Sequence, residues 1–583
     1  MTTVDRSTTV EPATETAAPV SSYPHLDRAI TELAAGVAAW ADRPLASRAE
    51  LLRATHETMR AQATRWATTA RDIKGLDASS PLVGEEWISG PYAALAGLGA
   101  TAKTVAALAE GRSPLDGVRT GTAPGGRVTV PVLPRDAHEA LLLHGFRAEV
   151  WLRPGVSVAD ATRTAGLGQL TPRETGGVGL VLGAGNITSI PPLDVLYEVV
   201  AHNRSVLLKL NPVMAPMLSV YLAALEPLVS AGMLRVVQGG AAEGAYLTQH
   251  PGISHVHITG SVRTHDAIVW GTGPDADARR AAGTPLLDKP ITSELGGVSP
   301  IIVVPGRWTS HDLRFQAEHV ATQRLHNGGY NCIAGQLVVL SSDWEQKDDF
   351  LRELRSALER APRRAAWYPG SDDRVASAQD AYPGCERLAD GTRLLVPVTP
   401  DDASTLETTE YFSPVLGVLE LPGTGQAFLD AAVETANRDL LGTLGANVLV
   451  DPAEKKRLGD GFRDAVARLE YGTVAINAWT GVGFLTASAT WGAFPGHTLD
   501  DVQSGIGVVH NAMLLDGAER TVVTGPFRPF PRSVRHGEVA LFPKPPWFVT
   551  ARSAQTTGRR LTAFAGDPSW AKMPAIFASA FRA

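Results

Sequence analysis

Between residues 177 and 260 the chain repeats one pattern four times, and that pattern leaves few folds open. Gly177–Gly183, Ser205–Leu210, Met233–Gly240 and His255–Gly260 are short apolar runs, separated by segments with helical spacing of apolar residues. Runs this apolar suit strands buried on both faces. Strand, crossover helix and next strand in this order make the βαβ alternation of an open parallel sheet. A hydrophobic content of 44% against 19% charged residues supplies enough apolar surface for large cores. At 583 residues the chain is long enough for more than one domain.

The flanking regions read differently. Tyr23 to about Leu108 has apolar residues at three- and four-residue intervals, as in helices. Gly111 to Pro134, rich in Gly, Pro and Thr, reads as loop, and Leu141 to Leu152 as one or two strands. A second β-containing region runs from Pro300 to about Gly507. From about Asn511 the chain is polar and Pro-rich, with extended pieces such as Glu538–Phe542. The first 20 residues read as a disordered tail without the apolar core of a secretory signal. No run of about 18 apolar residues stands out as a membrane span. The net charge of −7 is thinly spread and gives no electrostatic reason to expect nucleic acid. Two cysteines exclude a disulfide framework and a Cys-rich zinc site, no metal is expected, and a reduced cytoplasmic setting fits.

Of those two cysteines, Cys332 follows Gly328-Gly329-Tyr330-Asn331 and precedes the apolar run Leu337–Leu340, a thiol on a loop before a buried strand. Thirty-eight residues upstream, Glu294 lies in Glu294-Leu295-Gly296-Gly297. A thiol and a carboxylate framed by glycines are the parts for covalent catalysis through an acyl intermediate that water removes. Equally, Cys332 reads as an inert buried thiol and Glu294 as an exposed turn residue. Cys385, without the Asn neighbour or the following strand, reads as structural. Four further places invite a ligand, each with a plain structural alternative. Asn186, after Gly183-Ala184-Gly185, reads as a helix cap or as an amide aimed at an oxyanion. Lys209 ends an apolar run, where it snorkels or meets hydroxyls and phosphates. Gly260-Ser261 caps a helix or binds phosphate. Glu410, ahead of Phe412-Ser413-Pro414-Val415, is a surface carboxylate or the acceptor of a ribose diol.

Taken together and in this order, these segments resemble the NAD(P)-dependent aldehyde dehydrogenase superfamily over roughly residues 25–550. The Asn186 segment resembles the Pro-Trp-Asn-Phe-Pro motif. Lys209 follows it by 23 residues, and Thr259-Gly260-Ser261 resembles the Thr-Gly-Ser turn. Glu294-Leu295-Gly296-Gly297, Cys332 and the Glu410 box are similar to the family's base, nucleophile and Glu-x-Phe-Gly-Pro-Val segments, and Asn477 to its Gly-x-x-x-x-Asn strand end. The resemblance implies an α/β fold: a Rossmann-type parallel-sheet cofactor domain (21–141 and 172–298), an α/β catalytic domain (299–510), and β-ribbon oligomerisation elements at 142–171 and 536–550, with a C-terminal extension at 551–583. It implies Cys332, Glu294 and Asn186 as catalytic residues, and Lys209, Ser261, Gly260, Glu410, Leu295 and Gly296 as contacts of NAD or NADP. It also implies a homodimer or homotetramer that oxidises an aldehyde to an acid through a Cys332 thioester.

Several positions depart from the family's pattern. Asn186 lacks the flanking Trp and Pro, Val298 replaces a lysine, and Ser413 replaces a glycine. Pro212 stands where NAD-preferring members often carry a glutamate, so no carboxylate is present there to repel a 2′-phosphate, and NADP is as open as NAD. Trp479 and Phe484 suggest an apolar or aromatic aldehyde, or simply core packing. The apolar segment Trp570–Arg582, interrupted by Pro574, is expected to dock on its own subunit before a partner subunit or a membrane. Two rival readings share the fold: an acylating or reductive acyl-CoA or acyl-phosphate reductase, and a catalytically silent family member.

Overall fold

The apolar runs fold as strands of two large sheets. In the computed structural model, which describes residues 22–583, the first strands are β1 (Gly121–Ala123), β2 (Arg127–Leu133) and β3 (Arg147–Leu152). β4 (Val178–Leu182), β5 (Ser205–Lys209), β6 (Leu234–Val237), β7 (His255–Gly260) and β8 (Ile291–Leu295) follow. Next come β9 (Ser299–Val303), β10 (Gly335–Ser341), β11 (Glu386–Leu388), β12 (Arg393–Val398), β13 (Val415–Leu421), β14 (Gly445–Leu449) and β15 (Thr473–Ile476). The last are β16 (Thr490–Gly492), β17 (Gly505–Ile506), β18 (Val508–Asn511) and β19 (Ala518–Thr524). The expected tail, residues 1–20, lies outside the described residues.

One sheet has the order β17-β8-β7-β4-β5-β6, parallel from β8 to β6, with β17 antiparallel at the edge. The other has the order β1-β2-β3-β19-β15-β14-β9-β10-β13-β12-β11, parallel from β19 to β12 and antiparallel at both ends. Every residue of β5, β9 and β10 is buried, as strands covered on both faces require.

Helices cover these sheets. α1 (Pro24–Asp42) packs on β4 and β5, while α2 (Leu45–Ile73) packs along α3 (Ala93–Ala109). Between the strands run α4 (Ala137–Leu142), α5 (Ile190–Ala201), α6 (Val262–Val269) and α7 (Ser310–Leu325). The continuous helical stretch Val83–Ala109 is long and apolar enough to cross a membrane, which the reading of the sequence missed; half of its most apolar window is buried inside the fold, as in a core helix. At the C-terminus α8 (Ala554–Gly566) and α9 (Met573–Ala580) dock on the chain's own helices. A Cβ on Gly84 would lie 2.4 Å from the Ala554 carbonyl carbon, so α8 sits in backbone contact there. Pro574 does not break a helix. It lies in the first turn of α9, where its missing N–H goes unused.

Other expectations are corrected. The supposed loop 111–134 contains β1 and β2. Its glycines and prolines masked a strand that tolerates Pro131 at a register shift against β3. Residues 141–142 end α4, which Asp136 caps by accepting from the Glu139 N–H, so only one strand, β3, follows. The stretch 142–171 holds that strand and a helix at Val158–Thr164, and 536–550 holds no strand. The antiparallel neighbour of β3 on that side is β19. β1–β3 thus join the second sheet, and β17 joins the first.

Candidate functional site

The thiol sits on a loop whose backbone is forced. α7 ends at Leu325, and Asn327, Gly328 and Gly329 then take φ of 57°, 75° and 85°. A Cβ on Gly329 would approach the Ser413 carbonyl to 3.0 Å, so both its angle and its surroundings demand glycine. Arg324, fully buried, donates to the carbonyls of Gly329 (3.0 Å), Ala334 (3.3 Å) and Ser413. It therefore grips the loop on both sides of Cys332. Asn327 adds donations from its amide to the Asn186 and Tyr330 carbonyls, and Lys74 donates to its Oδ1 at 2.9 Å.

Cys332 and Glu294 meet across the two sheets. The Cys332 thiol donates to Glu294 Oε1 at 2.9 Å, and Trp491 Nε1 donates to the same oxygen at 3.2 Å. Glu294 is not an exposed turn residue. It lies within β8, paired in register with Thr259 of β7 and Gly505 of β17, and is 2% exposed. Burial pushes its carboxyl up to about 7, against the pull of the two hydrogen bonds. Burial also raises Cys332 well above an ordinary thiol, and the Glu294 charge and hydrogen bond add to this. The thiol therefore rests protonated against a carboxyl that titrates near neutrality, an arrangement for proton transfer at the moment of attack. Asn186 is not a helix cap, since α5 begins at Ile190 after Ser189; its amide donates to the Tyr330 carbonyl at 2.9 Å, beside the thiol loop.

The remaining sequence-chosen residues lie along one edge of the six-stranded sheet. Leu295 ends β8 and Gly296 follows it, Gly260 ends β7 and Ser261 follows it, Asn186 follows β4, and Lys209 ends β5. These are the C-terminal ends of four neighbouring parallel strands, where doubly wound sheets hold ligands. Lys209 is 8% exposed; burial lowers its pKa, with Glu243 pulling the other way. Ser261 caps α6 by accepting from the Thr264 N–H at 3.2 Å. Glu410 comes from the loop before β13, and its carboxylate lies over Gly296: a Cβ there would meet Glu410 Oε1 at 1.8 Å. Burial raises Glu410 to about 8, with Arg324 opposing and Glu294 adding to the rise. A buried ammonium, a helix start and a carboxyl over a bare glycine fit the phosphate- and ribose-bearing body of a dinucleotide.

Three sets of residues escaped the reading of the sequence. Arg324, at the end of α7, and Trp491, from the distant strand β16, both touch the site. Lys74 pairs with Glu86 at 2.9 Å and Arg364 with Glu85 at 2.8 Å, while Glu85 accepts the Asn327 N–H at 3.1 Å. Behind Glu294, buried Asp194 accepts from Thr259 at 3.0 Å and lies 3.0 Å from His510 Nε2 and 3.6 Å from His257 Nε2. Burial would raise Asp194, but His257 and His510 outweigh it and hold it below the ordinary range. A hydrophobic run or a glycine can be seen locally; these partners share no local signal.

Residues 157–369 match the model of the aldehyde dehydrogenase family. Solved structures with the same fold include the gamma-glutamyl-gamma-aminobutyraldehyde dehydrogenase of Burkholderia cenocepacia, at 22% identity and a TM-score of 0.55, covering 86% of this chain and 88% of that one. An NAD-dependent aldehyde dehydrogenase of Sinorhizobium meliloti matches at 20% identity and TM-score 0.55, over 88% and 89% of the two chains. The NADP-dependent glyceraldehyde-3-phosphate dehydrogenase of Bacillus halodurans, complexed with NADP, matches at 18% and 0.55, over 86% and 92%.

Proposed function

We propose that this chain, which has the fold of aldehyde dehydrogenases and matches the model of that family over residues 157–369, oxidises an aldehyde to a carboxylic acid with NAD or NADP, through a thioester on Cys332. The observation that carries this reading is the 2.9 Å contact between the Cys332 thiol and Glu294. Glu294 takes the thiol proton as sulfur adds to the carbonyl carbon, giving a thiohemiacetal. The Asn186 amide, which has a second N–H to give, and the Cys332 backbone N–H face the oxyanion; one such donor is worth about 3 kcal/mol. The dinucleotide, when bound, supplies the hydride acceptor that turns the thiohemiacetal into a thioester. Lys209 and Glu410 would hold its ribose hydroxyls, with Leu295 and Gly296 against it and Gly260-Ser261 facing its phosphate. Glu294 must lose the thiol proton before its second task, which is to take a proton from the water that cleaves the thioester. Acid leaves and the thiol is restored.

Pro212 opens a short turn whose first N–H, that of Val213, is received by the Asn211 side chain, so no carboxylate follows Lys209 to exclude a 2′-phosphate. Both dinucleotides are therefore proposed cofactors. The test is a panel of aldehydes with NAD or NADP, with and without coenzyme A. Acid formed without coenzyme A, and lost in Cys332→Ala, supports the reading; strict dependence on coenzyme A would transfer the chain to the acylating class.

A further inference from the structure

Lys209, at the end of β5, is 8% exposed, and among the described residues its ammonium has no hydrogen-bond or ion-pair partner. An ammonium so placed is costly unless an acceptor reaches it. The next strand leads to a carboxylate. β6 runs parallel to β5 with Val237 opposite Lys209, and Gly239-Gly240 then open the helix Ala241–Gln249. A Cβ on Gly244 of that helix would stand 3.7 Å from Lys209 Cε, so its first turn lies against the lysine stem. Glu243 belongs to this turn. It accepts the Gly240 N–H at 2.7 Å, the acidic half of a capping box, and forms no ion pair among the described residues. A carboxylate has lone pairs for about four donors, so capacity for a ligand remains. Backbone N–H groups, its own and that of Gly240, hold its carboxyl below the ordinary range, with Lys209 and His25 adding to this. Burial lowers Lys209, and Glu243 pulls it back up. The two charges act on each other at one corner of the sheet without a direct ion pair.

We infer that Lys209 and Glu243 together select the substituent at the 2′-position of the adenosine ribose, taking a hydroxyl in preference to a phosphate, so that NAD is held more tightly than NADP. This ranking rests on the dinucleotide site proposed above, where Pro212 leaves the two cofactors level. A hydroxyl donates and accepts, so it can donate to Glu243 and accept from Lys209 at once. A phosphate near neutral pH only accepts, and its charge of about −1.5 to −2 meets a carboxylate that cancels the attraction of the lysine. Discrimination comes from the repulsive partner as much as from the attractive one. The carboxylate that position 212 lacks is thus supplied from the following crossover. The capping box alone does not require a charge at 243, because glutamine serves the same helix start. Glu243→Gln therefore keeps the cap and removes only the charge.

Dissociation constants are measured by calorimetry on the full chain without aldehyde. The wild type is expected to bind NAD at least about tenfold more tightly than NADP, the scale of one hydrogen bond to a charged group. NADP bound as tightly as NAD overturns the inference. In Glu243→Gln the preference falls at least about fivefold, because the repulsion is gone; an unchanged ratio overturns the inference as well. 2′-Deoxy-NAD, which has no hydroxyl to offer, binds the wild type at least about fivefold more weakly than NAD. Equal affinity for these two removes Lys209 and Glu243 as the selector. A preference for NAD that Glu243→Gln relaxes, with no aldehyde converted to acid, keeps the selector and discards the oxidation reading. Acid formation by a protein that binds both dinucleotides alike does the reverse, and binding of neither discards both.

Discussion

Glu85 and Glu294 are both buried carboxylates that touch the nucleophile loop, one at the Asn327 N–H and the other at the Cys332 thiol. Their surroundings differ in one respect. Burial would raise Glu85, but Arg364, His326 and Lys74 outweigh it and keep its carboxyl below the ordinary value. Glu294 forms no ion pair with an arginine or lysine; two hydrogen bonds and the weaker pull of His257 do not offset its burial, which carries it up to about 7. The same side chain is thus a permanent anion that anchors the loop in one place and a proton acceptor in the other. Burial sets the cost, and the direct ion pair with Arg364, helped by Lys74 and His326, is what offsets it at Glu85 and is missing at Glu294.

Four experiments break or sharpen this contrast. The largest effect is expected from Cys332→Ala, which removes the group Glu294 serves and should lower aldehyde turnover by about 10⁴-fold or more, with folding retained; covalent nucleophiles that act as a unit lose rates of that order. Next, Glu85→Gln leaves Arg364 buried beside a neutral amide and should cost about 3–5 kcal/mol in denaturant unfolding at pH 7. Glu294→Gln should do the opposite. A carboxyl raised from 4.5 to about 7 on folding binds its proton more tightly in the native state, so the wild type loses stability as pH rises through that window. The glutamine variant escapes that loss and should be more stable at pH 8 by up to about 3 kcal/mol, with the difference gone below pH 4.5. A Glu294→Gln protein that is less stable at pH 8 would contradict the uncompensated carboxylate. The smallest effect concerns Asp194, whose charge adds to the rise of Glu294. Asp194→Asn should move the acidic limb of the pH–rate profile, near 7 in the wild type, downward by less than about one unit.

The contrast also explains what could be read from the chain. β7 coincides with the run His255–Gly260, and β4 and β5 fall inside their apolar runs, because a strand buried on both faces writes its burial into consecutive residues; β6, at the sheet's edge, falls inside its run with only Leu234 fully buried. The thiol loop was visible for a related reason: Gly328 and Gly329 adopt angles that few other residues accept. The burial of Glu294 was not visible, because a glutamate beside two glycines looks like a turn until β7 and β17 are laid on either side of it. Nor was Arg324, whose three carbonyl acceptors are joined only by the fold. The thiol of Cys332 could not be graded from its neighbours in sequence, since only the fold sets its surroundings. A reactive thiol is commonly sought through a lowered pKa. Here burial and nearby carboxylates raise it, and the proposed activation falls to Glu294, whose carboxyl is in contact with the sulfur.

The central claim is that Glu294 is the base that frees the acyl group from Cys332. It is tested most directly by mixing the Glu294→Gln protein with an aldehyde and NAD or NADP, and following reduced cofactor and intact protein mass together. The account predicts that one equivalent of reduced cofactor per site forms more slowly than in the wild type, because glutamine cannot take the thiol proton, and that turnover then stalls with the acyl mass trapped on Cys332. Sustained turnover at the wild-type rate with unmodified Cys332 would contradict it.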